Sequence, residues 1–264
     1  MGQYVEAGGL KTWVDSWGSG SPLLLLHGGM VSNQTWDPMV PALAERFNVL
    51  APERRGHGHT PDVEGPYTYA LMADDTIALL EEVVGGPANL VGWSDGGNIA
   101  LMVAAKRPDL VTKLVVISAN FNAEGTDPEL LKGLEESRAD GPEVAFMRSL
   151  YEAASPDGPE HWPVVFEKIK RMDVEYDPPI TVEDLGRIAS PTLVMASDDD
   201  IVLLEHTIEL YRSIPNSQLA IVPGTSHVLV MEKPVEIDQL ILDFLQKDAA
   251  PTMWPVRRAA QRSS

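Results

Sequence analysis

The twelve residues NLVGWSDGGNIA, 89–100, constrain this chain more than any other stretch. An apolar run over 89–93 stops at Ser94, and helical spacing begins at about Gly96. Glycines flank the serine two residues before, at Gly92, and two after, at Gly96. A tight strand–turn–helix of this kind lifts a hydroxyl above the end of a sheet. Its flanking positions approach neighbouring backbone so closely that only hydrogen fits well. The helix that starts there also aims unpaired N–H groups at the same point. The pattern matches the elbow on which a nucleophilic serine is held, and the bland alternative is an ordinary glycine-serine turn.

The rest of the chain supports a sheet around that elbow. Residues 3–6 and 11–17 read as a hairpin joined through Gly8-Gly9. The continuous run Leu23-Leu24-Leu25-Leu26 suits a strand buried on both faces. Further strands are expected at 49–51, 89–93, 113–118, 192–197 and 218–222, with helices at 32–47, from Tyr69 to about Val84, 96–106, 203–213 and 235–245. Strands alternating with amphipathic helices argue an α/β fold: a mostly parallel, eight-stranded sheet flanked by helices. The alternation breaks over 119–189, where helical patterns dominate and no strand is evident. The expected organisation is a core of residues 1–118 and 190–250, an inserted helical cap of 119–189, and a tail of 251–264 without periodicity.

A serine hydroxyl needs a base. In a fold of this order the acid and then the histidine should follow the serine. His161 falls in the expected cap and His206 in an amphipathic helix, where a solvated surface role is the simpler reading. His227 follows the strand 218–222 through Pro223-Gly224-Thr225-Ser226, and a loop at that edge of the sheet can reach Ser94. The acid should lie at the end of strand 192–197, where Asp198, Asp199 and Asp200 stand in a row; spacing alone leaves all three open. The expected oxyanion donors are the backbone N–H groups of Gly29, in Leu26-His27-Gly28-Gly29-Met30, and of Asp95. His27-Gly28-Gly29 lacks the lysine of a phosphate-binding loop. His57-Gly58-His59 has no third ligand nearby and reads as a tight turn rather than a metal site, so no metal and no cofactor are expected.

Composition narrows the partners. Against 20 basic residues stand 39 acidic ones, a net charge of −19, which repels nucleic acid and anionic membranes alike. With no cysteine, thiolate chemistry and disulfides are excluded. No apolar run approaches the ~18 residues of a membrane span, and no secretory leader pattern is evident, so a cytoplasmic location is expected.

At this point the sequence resembles the α/β-hydrolase fold family with a cap. The carrying residues are HGG at 27–29, RRGHGHTPD at 54–62, GWSDGG at 92–97, PTLVMASDDDIV at 191–202 and PGTSH at 223–227. The elbow is similar to that of valacyclovir-hydrolase-like esterases, within a broad esterase, aminopeptidase and haloperoxidase-like branch. Aligned to the family pattern, Ser197 replaces a glycine and Asp200 becomes the acid, with Asp198 the lesser candidate. The resemblance implies a serine hydrolase cleaving a small neutral carboxylic ester, or a related acyl compound, through an acyl-enzyme. Alternatives are a cofactor-free haloperoxidase or perhydrolase, an aminopeptidase or amidase, and a non-enzymatic ligand receptor on the same fold. Epoxide hydrolases and haloalkane dehalogenases need an aspartate where this chain has Ser94. Met30, Phe121, Phe146, Tyr151 and Trp162 are the candidates for lining the substrate pocket, and self-association into a homo-oligomer is left open.

Overall fold

The computed structural model describes residues 2–247 and 252–254. Strands β1 (Gly2–Ala7), β2 (Leu10–Gly18), β3 (Ser21–Leu26), β4 (Phe47–Pro52), β5 (Ala88–Trp93), β6 (Val111–Ile117), β7 (Thr192–Asp199) and β8 (Ser217–Ser226) build one sheet. Their order is β1-β2-β4-β3-β5-β6-β7-β8. The β1/β2 hairpin and the β2/β4 pairing are antiparallel, and every later pairing is parallel. From β3 the chain moves outward to β4, then crosses back to β5 on the other side. That reversal opens a crevice at the carboxyl ends of β3 and β5, where ligands of open α/β sheets bind.

Ten helices accompany the sheet among the described residues: α1 (Val40–Ala44), α2 (Tyr69–Leu79), α3 (Asp95–Lys106), α4 (Pro128–Glu136), α5 (Ala145–Ala154), α6 (Trp162–Glu175), α7 (Val182–Gly186), α8 (Leu204–Ser213), α9 (Leu229–Glu232) and α10 (Pro234–Gln246). The leucine run of β3 divides between two cores, as the period of a strand requires. Leu24 and Leu26 pack with Met72 of α2 and Ile99 of α3, whereas Leu23 and Leu25 pack with Leu43 of α1 and Ile241 of α10. All four leucines are buried, so truncating any one to alanine should cost about 2–5 kcal/mol.

Two expectations about helices need correction. Residues 32–47 are not one helix. A 3-10 turn, Asn33–Trp36, precedes the short α1, because Pro38 and Pro41 withhold N–H groups that a continuous helix would need. The helix from Tyr69 ends as α at Leu79 and widens into a π turn, Leu80–Val84.

Between β6 and β7 the described chain holds α4 to α7 and short 3-10 turns, with only a single bridge, Thr126 to Val202, in β geometry. Helix α6 packs on α4 and α5, whereas α7 packs on α3 and α8. Most of the expected tail, 251–264, lies outside the described residues. No helix among the described residues is long and apolar enough to cross a membrane.

Candidate active site

Ser94 sits between β5 and α3 with φ 55° and ψ −124°, a conformation that L-residues rarely adopt. The turn is held by Ser94 N–H donating to Ile117 O at 2.9 Å and by Gly97 N–H donating to Ser94 O at 2.7 Å. The flanking glycines are required sterically. A Cβ on Gly92 would strike the backbone of Gly96, and one on Gly96 would strike the Leu26 carbonyl of the neighbouring strand.

The structure brings three of the expected residues together. His227 Nε2 lies 2.9 Å from Ser94 Oγ, and its Nδ1 lies 2.7 Å from Asp200 Oδ1. With Nδ1–H donating to the carboxylate, Nε2 is the acceptor for the serine hydroxyl. Asp198, the lesser candidate, turns elsewhere and accepts from Thr225 N–H at 3.2 Å. Asp200 Oδ2 is bonded by the Ser118 hydroxyl and accepts from Ser197 Oγ at 2.8 Å and Ser197 N–H at 3.2 Å. Burial pulls the Asp200 carboxyl upward, but hydrogen bonds from His227, Ser118 and Ser197 and the charge of His227 win, lowering it to about 2. Ser197, standing where the family pattern has glycine, thus bonds the Asp200 carboxylate directly.

Sequence reasoning missed Ser118, which ends the neighbouring strand β6, and Trp93. The indole N–H of Trp93 donates to the His227 carbonyl at 2.8 Å, tying the elbow to the histidine loop. It also missed a buried cluster beside the elbow. Asp95 Oδ1 is 2.8 Å and Asp173 Oδ1 2.9 Å from the Tyr69 hydroxyl, while Arg54 Nη1 stands 3.8 Å from Asp95 Oδ2. A hydroxyl has one proton, so one of the two carboxyls must supply another. Burial first, and Asp95 next, push Asp173 well above the usual carboxylate range, which makes Asp173 the protonated partner. Arg54, Tyr69 and Asp173 come from three distant segments, and no local pattern announces their meeting.

The loop after β3 lies where expected. Gly29 faces Asp95 so closely that a methyl group on it would come within 2.6 Å of Asp95 Oδ2. His27 and His57 are both buried and neutral. Burial and the Arg54 charge hold His27 well below its usual value and His57 at about 3. His57 Nε2 accepts from Met30 N–H at 3.2 Å, whereas His59 turns away to Glu53. The turn at 57–59 is therefore a brace for the loop rather than a pair of ligands facing one point.

Of the expected pocket residues, Met30, Tyr151 and Trp162 line a narrow crevice of only about 10 Å³, together with His57, Val165 and Ile169. Phe121 and Phe146 do not. Phe121 stacks on His206, 3.9 Å between ring centroids, beneath a separate outer groove. Phe146 is 58% exposed on α5, because its helical phase faces solvent. His206 also corrects the sequence reading: it is buried, accepts from Phe121 N–H at 3.1 Å, and is lowered by burial to about 4. His161 bonds Asp62 at 2.8 Å, an oxygen pair shared with Lys168.

Comparison with known proteins bears on the fold and the family of the chain. Over about nine-tenths of its length the chain is 28% identical to two curated proteins. One is the serine hydrolase BPHL of Homo sapiens, with 92% of this chain and 85% of that protein covered. The other is a non-heme haloperoxidase of Rhodococcus erythropolis, with 90% and 97% covered. The meta-cleavage product hydrolase CumD of Pseudomonas fluorescens IP01 superposes with a TM-score of 0.79 at 23% identity, covering 93% of this chain and 98% of that one. The model of the alpha/beta hydrolase family matches residues 23–240, and to that family the chain belongs.

Proposed function

We propose that the protein is a serine hydrolase that cleaves a small neutral carboxylic ester through an acyl-enzyme, with Ser94, His227 and Asp200 as its catalytic triad. The observation that carries the reading is the unbroken relay from Ser94 Oγ through His227 to Asp200, at 2.9 and 2.7 Å, mounted on a strained elbow. Ser94 Oγ attacks the ester carbonyl carbon while its proton passes to His227 Nε2. The carbonyl π pair moves onto oxygen, where the N–H groups of Gly29 and Asp95 receive it. Collapse breaks the bond to the alkoxy group, which takes the proton from Nε2 and leaves as alcohol. Water then gives its proton to Nε2 and attacks the acyl carbon, and collapse returns the carboxylic acid and free Ser94. Asp200 stays ionised throughout, holding the imidazole tautomer and balancing its transient charge.

Helices α4 to α6 act in this reading as a cap that limits what reaches Ser94. The likeness to a non-heme haloperoxidase favours a second outcome at the same site, attack of hydrogen peroxide on the acyl-enzyme to give a peracid. An activated phosphonate together with a chromogenic acetate or butyrate tests the assignment. Stoichiometric labelling of Ser94, with turnover lost in Ser94→Ala, is the expected result. Folded protein that takes no label, or is labelled elsewhere, overturns the reading. Running the acetate with added peroxide measures the share of peracid.

A further inference from the structure

The two expected oxyanion donors are not held in the same way. The N–H of Asp95 belongs to the Ser94–Asp95 peptide, whose carbonyl accepts from Gly97 N–H at 2.7 Å and Asn98 N–H at 3.0 Å. Helix α3 therefore fixes that peptide from within. The N–H of Gly29 belongs to the Gly28–Gly29 peptide in a loop, with no helix to orient it. Its carbonyl is gripped by side chains instead: Arg54 Nη2 donates to Gly28 O at 2.6 Å, and His27 Nδ1 lies 2.8 Å from the same oxygen. Neutral His27 bears its proton on Nδ1, because its Nε2 already accepts from Arg54 N–H at 3.3 Å. A trans peptide is planar and turns its C=O and N–H to opposite sides. Whatever fixes Gly28 O therefore aims Gly29 N–H.

Arg54 is buried, 6% exposed, and it reaches both halves of the site. Nη2 binds the Gly28 carbonyl, while Nη1 faces the Asp95 carboxylate at 3.8 Å. The charges balance locally. Asp173 is protonated, so Arg54 and Asp95 form one cation–anion pair in a buried setting. A charge-assisted bond to Gly28 O also polarises the peptide and strengthens its N–H as a donor.

We propose that Arg54 is a positioning residue of the oxyanion site: its guanidinium, anchored by Asp95, sets the Gly28–Gly29 peptide so that Gly29 N–H meets the developing oxyanion. The inference rests on the hydrolase reading above and adds to it a residue that touches neither substrate nor triad. Without the guanidinium the peptide is free to rotate, and one of the two donors is lost for part of the time. Removing a single oxyanion donor costs on the order of 10²–10³ in kcat.

Arg54→Lys, and the charge-neutral pair Arg54→Met with Asp95→Asn, test this. Lysine keeps the charge beside Asp95 but cannot reach both anchor points with one ammonium. The double variant removes both charges and so leaves no unpaired ion in the core. The assay measures kcat and KM for a neutral ester, with inhibition by a trifluoromethyl ketone and by its methyl ketone counterpart. The trifluoromethyl ketone forms a tetrahedral adduct on Ser94 that needs the oxyanion donors, whereas the methyl ketone binds without forming one. The expected result is a fall in kcat of about 10-fold for Arg54→Lys and about 10²-fold for the double variant. KM and methyl ketone affinity should stay unchanged, and trifluoromethyl ketone affinity should fall in proportion to kcat/KM. If the double variant fails to fold, Arg54→Lys decides alone. Unchanged kcat, or equal losses for both ketones, overturns the inference while active wild type leaves the hydrolase reading standing. Wild type that neither cleaves esters nor binds the trifluoromethyl ketone overturns both.

Discussion

Trp93 donates its indole N–H to the backbone carbonyl of His227 at 2.8 Å, so the residue before the serine holds the residue proposed as its base. The bond joins the end of β5 to the loop after β8, two segments with two strands between them in the sheet. The Trp93 ring also lies 5.8 Å, centroid to centroid, from the His227 imidazole, and it packs against Gly28.

Trp93→Phe keeps the ring and removes the donor. A buried hydrogen bond contributes about 0.5–1.5 kcal/mol net, and the His227 carbonyl would be left without this partner. The expected outcome is a fall in kcat of about tenfold with KM unchanged, because the ground-state pocket is untouched while the imidazole wanders. Steady-state kinetics on a neutral ester checks it. A change confined to KM means that Trp93 acts on the pocket instead.

The acidic run separates into two carboxylates with different duties. Asp200→Asn should lower kcat by about 10³–10⁴, since an amide leaves the imidazole in the wrong tautomer. Asp198→Asn should stay within about threefold of wild type, because Asp198 accepts from the Gly224 and Thr225 N–H groups, away from His227, and faces solvent. Reversal of the two effects would move the acid to Asp198.

The sequence could not choose between them, and the reason is physical. The β7/β8 register shifts between Ser197 and Asp199, so strand parity is broken where the carboxylates emerge. The elbow was legible because its glycines answer a steric demand made by immediate backbone neighbours. The eight strands were legible for a similar reason, since apolar runs such as that of β3 report burial directly. Helical phase was a poorer guide between β6 and β7. Phe146 and Tyr151 both lie on α5, yet only Tyr151 turns into the cavity. Arg54, Tyr69 and Asp173 were not legible at all, because their meeting depends on how α6 settles over the sheet.

Asp200 also links the site to stability. Its carboxyl is held at about 2 in the fold against 3.8 when unperturbed. A lowered carboxylate stabilises the fold fully above the unfolded value, and that contribution is lost as pH falls through the folded one. The difference corresponds to about 2 kcal/mol at pH 6, with roughly half gone by pH 3. Urea unfolding of wild type and Asp200→Asn at the two pH values should show the gap narrowing as pH falls. A gap that stays constant means that the stabilisation comes from packing rather than from the ionised carboxylate.

The last prediction concerns what may enter beneath α5 and α6. The crevice there is only about 10 Å³, with Met30, Tyr151, Trp162, Val165 and Ile169 among its walls, so an acyl group enters only as α5 and α6 yield, and short neutral ones should be accepted where long chains are not. Each Lys and Arg of the helical segment is already paired: Lys132 with Glu136, Arg138 with Asp140, Arg148 with Glu152, Lys168 with Asp62, Lys170 with Glu167, Arg171 with Glu175, and Arg187 with Glu183. Arg54, the buried cation beside the elbow, is engaged by Gly28 O and Asp95. A substrate carboxylate would therefore shed its water and meet only cations that already face a carboxylate, inside a protein of charge −19. Desolvation at several kcal/mol makes the expected loss in kcat/KM at least ~10²-fold against the neutral analogue. Measuring kcat/KM for acetate, butyrate and octanoate esters of one alcohol, beside a carboxylate-bearing butyrate analogue, decides both points. The rate should fall steeply from butyrate to octanoate, and the anionic analogue should be poorest. A preference for the anion would require Arg54 to leave Asp95 for the substrate, and Arg54→Lys would then raise KM for the anionic ester alone.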